Sequence, residues 1–292
     1  MAGKPKAILQ TFLSFGLLAG FVGCANLNQL LNQMDVKKPV VTVRSVDLTE
    51  ISFTDASLRF NMEIENPNGF GVKLDGFDYR FDINQKNFLN GDQPDKIDIA
   101  AGKKSPFAVP VSVNYTRLLE TVTDLVNDKS ADYKIDLGLR FDLPVLGNTR
   151  IPVAHSGTLP IPKIPSIGVS ALELKKMSLT GADLELVLKI GNPNIFGFDL
   201  KNLDYNFIVN GNRWVEGSDT GIGTINAGGE GLVRIPVSLN FLELGRSAAN
   251  LISGGSDLNY GLTGKLDISG TELPLQINGL TFDRSGSVGL TK

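Results

Sequence analysis

The sequence predicts an all-β protein built as two tandem β-sandwich domains, and three observations carry that expectation. The first is an internal repeat. Displaced by 126 residues, Pro39–Leu118 falls on Pro165–Leu244 without a gap, and 27 of the 80 aligned positions are identical. A period this long marks a whole domain, since solenoid units run to roughly 20–50 residues. The second is alternation: Ala56, Leu58, Phe60, Met62 and Ile64 interleave with polar residues, and Ala182, Leu184, Leu186, Leu188 and Ile190 do the same in the second copy. Period two is the pattern of a strand with one face on a core and one in water. The third is punctuation: 32 glycines and 14 prolines imply many turns, and only one segment per copy has helical spacing.

From the N-terminus, Lys4 and Lys6 precede the mostly apolar stretch Ala7–Phe21, which Gln10, Thr11 and Ser14 interrupt. A charged start, a short apolar run and small residues before a cut describe a secretory signal over residues 1–23. Phe21-Val22-Gly23-Cys24 resembles the lipobox of bacterial lipoproteins, with Phe21 in place of the usual Leu. That resemblance implies acylation of Cys24, the only cysteine. It also implies a lipid-attached, exported chain, and Ala25 after the cysteine implies sorting to the outer membrane, facing the periplasm; with no other cysteine in the sequence, folding after export does not depend on disulfides. The competing reading is an uncleaved anchor with an incidental cysteine. Residues 24–38 form the tether. Leu27, Leu30, Leu31 and Met34 give a short amphipathic stretch before Pro39, read as a membrane-proximal spacer ahead of a partner-binding helix.

The first domain spans residues 39–158. After Ala56–Ile64, strands follow at Phe77–Ile83, Phe107–Val113 and Tyr133–Phe141, with shorter ones near 40–48, 95–99 and 150–157. The counterparts in the second domain, residues 165–282, include Leu203–Val209, Val233–Leu239 and Tyr260–Ile268. About seven alternating strands per copy suit a sandwich. Pro110 and Pro236 lie mid-strand on the outward side, which predicts an edge position because proline cannot donate to a ladder. One helix per copy is expected, over Thr116–Asn127 and again around Leu244, Ala248, Leu251 and Ile252, covering one end of each sandwich. Between the domains, residues 159–164 and Pro165 form a proline-dense, stiff connector. Asp283–Lys292 reads as a loose tail.

Asn66-Pro67-Asn68 and Asn192-Pro193-Asn194 stand at the end of the longest strand in each copy, followed by Phe70-Gly71 and Phe196-Gly197. Asn tolerates turn geometry and Pro fixes φ, so the motif reads as a structural turn ahead of a ligand site. The alternating strand, the Asn-Pro-Asn, the aromatic-Gly and the later Val/Ile-Pro-Val strand together resemble the water-stress-and-hypersensitive-response domain of the group 2 late embryogenesis abundant family. The resemblance covers nearly all of residues 39–282. It implies a small fibronectin type III-like or immunoglobulin-like sandwich with a helix, and stress-linked protection without catalysis.

Composition and chemistry narrow the function further. The 28 basic and 31 acidic residues are dispersed, with no basic block for nucleic acid. His155 is the only histidine and no His/Cys cluster exists, so no catalytic residue, metal site or cofactor is expected. The copies diverge where Asn61, Asp82, Gly69 and Val72 become Val187, Ile208, Ile195 and Phe198. These four form a candidate contact patch, read first as packing against the first copy or the connector and second as a lipid or partner surface. The expectation is a non-enzymatic envelope lipoprotein contacting membranes or client proteins under desiccation or osmotic stress. The alternative is a module that holds a lipid or other apolar ligand in a cavity between the sheets.

Overall fold

A computed structural model describes residues 35–244, 252 and 257–291. The signal segment, Cys24 and the tether up to Met34 lie outside them. The first module contains β1 (Val40–Ile51), β2 (Asp55–Glu65), β3 (Val72–Ile83), β4 (Lys86–Gln93), β5 (Ile97–Ile99), β6 (Lys104–Asn114), β7 (Ser130–Leu143) and β8 (Gly147–Pro160). Strands β1-β2-β6 form one sheet and β4-β3-β7-β8 the other, with β5 also on β3. The second module repeats this with β9 (Ser166–Met177), β10 (Gly181–Gly191), β11 (Phe198–Val209), β12 (Asn212–Ile225), β13 (Glu230–Asn240), β14 (Leu258–Gly270), β15 (Gln276–Val288) and β16 (Leu290–Thr291). Its sheets are β13-β10-β9-β16 and β12-β11-β14-β15.

The alternation does what the sequence implies. Every apolar residue from Ala56 to Ile64 is buried, and their polar neighbours face outward. Phe60 stands edge-on to Phe81 at 6.4 Å and to Tyr133 at 5.8 Å, while Phe81 stacks on Tyr133 at 5.5 Å. In the second module Phe207 takes the place of Phe81, 5.8 Å from Tyr260, and the buried Leu186 takes the place of Phe60. Pro110 and Pro236 lie on β6 and β13, each the edge of its sheet, with Val109 and Val111 or Ile235 and Val237 turned inward beside them.

Repetition extends to irregularities. In β1, Arg44 and Thr49 are skipped in the pairing with β2, and in β9 the skipped residues are Ser170 and Lys175, again 126 positions on. Bulges twist an edge and discourage further pairing there. Four of the five tyrosines face a glycine across the ladder: Tyr79 and Gly91, Tyr133 and Gly157, Tyr205 and Gly217, Tyr260 and Gly286. Each ring lies over its glycine, where a side chain would otherwise stand; a Cβ on Gly157 would come within 2.6 Å of the Tyr133 hydroxyl. The pairing covers exposed backbone with apolar surface.

Three expectations need correction. Among the described residues the modules carry eight strands each where about seven are expected, the additions being β4 in the first module and the short β16 in the second. The helix expected over Thr116–Asn127 is an α-helix only from Tyr115 to Thr121, capped by Asn114 accepting from the Arg117 N–H. It breaks at Val122 and continues as a 3₁₀ turn, Thr123–Asn127. The β-branched run Thr121-Val122-Thr123 disfavours helix, yet Leu118, Val122 and Leu125 are all buried as the spacing implies. In the second module the helix begins at Phe241–Leu244, and Ile252 is buried; Ala248 and Leu251 lie outside the described residues. Lastly, 283–291 is not a loose tail. β15 continues to Val288, and β16 pairs in parallel with β9, placing Leu290 opposite Leu172.

The connector is held rather than merely stiff. The Ile161 N–H donates to the Lys129 carbonyl at 2.9 Å, the Tyr115 hydroxyl donates to the Pro160 carbonyl at 2.7 Å, and Ile161, Pro162 and Pro165 are buried. Burial pushes the Tyr115 hydroxyl well above the ordinary tyrosine pKa, so it remains a donor at any physiological pH. Phe241 occupies the same place in the second module.

Phe60→Ala should lower unfolding free energy by about 3–5 kcal/mol, the range for removing a fully buried aromatic ring. Urea denaturation of the full chain measures it, and a loss below about 1 kcal/mol would mean that this ring is not central to the packing.

Candidate functional site

The two Asn-Pro-Asn turns are the most highly organised polar sites in the described structure. Asn66 is fully buried. Its amide nitrogen donates to the carbonyls of Phe70, Ile99 and Ala100 at 2.7, 3.2 and 3.2 Å. Its oxygen accepts from the Asn68 N–H and the Asn68 side chain, both at 3.0 Å. Asn68 in turn exchanges two hydrogen bonds with the Lys37 backbone, each 2.8 Å. Pro67 holds the preceding Asn66 extended, so that the Asn66 side-chain oxygen can close the Asx turn. The result links three chain segments: the end of β2, the approach to β6, and the strand of tether entering β1.

Asn192 and Asn194 reproduce every contact. Asn192 donates to Phe196, Ile225 and Asn226 and accepts twice from Asn194. Asn194 clasps Lys163 of the connector at 2.6 and 2.9 Å. The two motifs are therefore strand-entry clamps with their hydrogen-bonding capacity spent internally. Each clamp holds the segment that enters the first strand of its module, through Lys37 or Lys163.

The four divergent residues do not converge. Val187 is on the outer face of β10 yet only 3% exposed, opposite Ala171 and Arg234. Ile208 is half-buried on β11, in the other sheet. Ile195 is 52% exposed at the Asn-Pro-Asn turn, and Phe198 is a fully buried core residue. Phe198 points inward because it is the first residue of β11, in the register that also buries Leu200. Val72, its counterpart at the start of β3, is buried in the same register beside Leu74.

Charges on the outer faces are paired within their own sheets. Glu63 lies between Arg44 at 2.6 Å and Lys104 at 3.0 Å, and these cations hold its carboxyl below the usual range. At the corresponding places in the second module the signs are exchanged: Lys189 pairs with Glu230 at 3.1 Å. Complementarity across the ladder survives the exchange, whereas a site for a charged ligand would require one sign. Asp78 is similarly depressed, first by its hydrogen bonds from Arg150 at 2.5 and 3.0 Å.

The remaining chemistry is sparse. His155 rests its ring against Phe60 and Tyr133 at 6.1 and 6.2 Å. Among the described residues no cluster of three His, Cys, Asp or Glu side chains is arranged to hold a metal. Two open surface depressions stand out. One of ≈ 600 Å³ lies beside the first Asn-Pro-Asn turn, lined by Lys73, Asp98 and Asp142 among others, and one of ≈ 780 Å³ lies over Tyr133 and Gly157. Both open on the surface rather than between the sheets.

A duplicated all-β sandwich with internally satisfied Asn-Pro-Asn clamps defines a class of small folded β-sandwich modules, and the comparisons identify its family. The profile of the family described as late embryogenesis abundant protein matches residues 61–157 and 187–279, one stretch in each module. The chain belongs to that family. Late embryogenesis abundant protein Lea14-A of Gossypium hirsutum is 30% identical over 133 residues, 46% of this chain and 88% of that protein. Desiccation-related protein PCC27-45 of Craterostigma plantagineum is 27% identical over 133 residues, again 46% of this chain and 88% of that protein. The solution structure of AT1g01470 from Arabidopsis thaliana aligns at 25% identity and a TM-score of 0.35, over 44% of this chain and 85% of that one.

Asn66→Ala should destabilise the chain by about 2–4 kcal/mol, because buried carbonyls and an N–H lose their partner at once. Asn66→Asp should be worse at pH 7 and recover on acidification. A carboxylate facing three carbonyls has a raised pKa, so stability returns as protonation restores a donor. Equal stability of the Asp variant at pH 7 and pH 5 would contradict the clamp. The surface carboxylates act oppositely. With Glu63, Asp78, Glu185 and Asp199 all depressed in the fold, their contribution is full above their unfolded values, near 3.8 and 4.5, and fades as pH falls through the folded ones. The Tm of the wild-type chain should therefore fall between about pH 5 and 3, by less at high salt.

Proposed function

We propose that the chain is a non-catalytic envelope lipoprotein, attached through Cys24, whose two modules contribute to tolerance of desiccation or osmotic stress by contacting membranes or client proteins. The supporting observation is that both modules, separately, match a late embryogenesis abundant family whose relatives here include desiccation-related proteins. The internal satisfaction of the Asn clamps and the exchanged signs of the ion pairs both favour a module that acts through its surface rather than through a polar active centre. Attachment through Cys24 rests on the lipobox-like sequence. Acyl chains contribute about 0.8 kcal/mol per buried CH₂, and more than one chain makes attachment effectively permanent.

The apolar-ligand reading needs space between the sheets. There, Phe60, Phe81, Phe141, Phe198 and Phe207 are fully buried, which favours the surface-contact reading. Cells lacking the chain should survive drying and osmotic shock less well than cells carrying it, and the Cys24→Ala form should neither incorporate radiolabelled palmitate nor restore survival. Undiminished survival of the deletion strain would refute the stress role. Survival restored in full by Cys24→Ala would refute the need for attachment.

A further inference from the structure

The modules touch end to end, and the way they touch says what the free ends would take. The β1–β2 turn of the first module meets the β14–β15 loop of the second through a parallel bridge between Ile51 and Leu275. Both residues are buried, at 2% and 1% exposure. Each side of this contact has a counterpart at a free end of the chain. Ile51 ends the β1–β2 pairing opposite Ala56, and Met177 ends the β9–β10 pairing opposite Ala182, 126 residues on. The two turns are built alike: the Ser52 N–H donates to the Asp55 carbonyl and the Ser178 N–H to the Gly181 carbonyl, both at 2.8 Å. Yet Met177 is 43% exposed, and Leu179, at the place of the half-buried Phe53, is 101% exposed.

The other side of the contact is repeated too. Leu143-Pro144-Val145-Leu146 holds the place of Leu273-Pro274-Leu275. Both loops close with a tight turn, from the Leu146 N–H to the Pro144 carbonyl at 2.7 Å and from the Leu275 N–H to the Leu273 carbonyl at 2.8 Å. Where Leu275 is covered, Val145 and Leu146 are 56% and 45% exposed. Val145 also has φ of +68°, a conformation that a β-branched residue adopts at a steric cost. An apolar hairpin tip held out of the core at that cost is a feature that wants a partner.

We infer that the Met177–Leu179 turn of one chain docks on the Val145–Leu146 loop of a second copy, repeating the contact that Ile51 makes with Leu275 within the chain. The two surfaces differ and belong to different modules, one being the β9–β10 turn of the second and the other the β7–β8 loop of the first. The contact is therefore heterologous, and nothing in it closes a ring by itself; it propagates head to tail. Contact with an existing interface of the same composition selects a second copy over an unrelated partner. The inference stands on the repeat geometry and does not depend on the stress role.

Cross-linking tests it in the full chain with Cys24→Ser as background. Met177→Cys together with Leu146→Cys should give, on mild oxidation, a ladder of disulfide-linked dimers, trimers and longer species. Either cysteine alone should give monomer, and a mixture of the two single-cysteine chains should give dimer and nothing larger. Adding Leu179→Asp should reduce the ladder about tenfold, since it places a charge in the apolar contact. A ladder insensitive to Leu179→Asp, or a single-cysteine chain that links to itself as well as the mixture does, would overturn the proposal. So would monomer throughout, including the case in which phosphatidylethanolamine–phosphatidylglycerol vesicles bind the chain through Val145 and Leu146 instead.

Discussion

The buried Asn side chain at the end of β2 and of β10 is the constraint on which each module depends. A primary amide offers two donor hydrogens and an acceptor oxygen on a planar group, and here all are used: three carbonyls on one side, the second Asn on the other. No apolar residue could tie those carbonyls, and buried unpaired carbonyls are costly. The clamp thereby fixes where β2 ends, where the chain turns toward β6, and where the incoming segment joins β1. The second Asn extends the same network outward to Lys37 or Lys163. One polar cluster thus orients an otherwise non-directional hydrophobic core.

That arrangement explains how two modules can sit in one chain without a long interface. The connector leaves the first module under the Tyr115 hydroxyl and enters the second under Asn194, with Ile161 and its flanking prolines covered between them. Both ends are determined by hydrogen bonds to backbone, so the side chains between are free to vary. The contact of Ile51 with Leu275 then needs only small apolar surfaces, because the connector has already restricted the approach of one module to the other.

The surface follows a different logic. Ion pairs on the outer faces keep complementarity between copies while exchanging sign, as Glu63 with Lys104 and Lys189 with Glu230 show. Such pairs are exposed and individually contribute little; they keep the sheets soluble and in register. What the two copies do not share, the exposed apolar ends at Met177, Leu179, Val145 and Leu146, is set by position in the chain rather than by the module's own folding. Their counterparts Ile51 and Leu275 are buried where the two modules meet.

The residues by themselves determined the duplication, the strand faces and the edge prolines. These depend on local chemistry: alternation declares a buried face, and a missing N–H declares an edge. The Tyr–Gly pairs were present in the sequence too, but recognising them required the register that sets Tyr133 opposite Gly157. The early end of the helix at Val122 was also written locally, in a β-branched run that the 3.6-residue spacing obscured. Tertiary structure alone decided that Phe198 is core rather than surface, that 283–291 joins the sheets, and that Asn68 and Asn194 hold segments 31 residues earlier. Each of these turns on which distant segment lies alongside, and a pattern read along one strand has no term for its neighbour across the ladder.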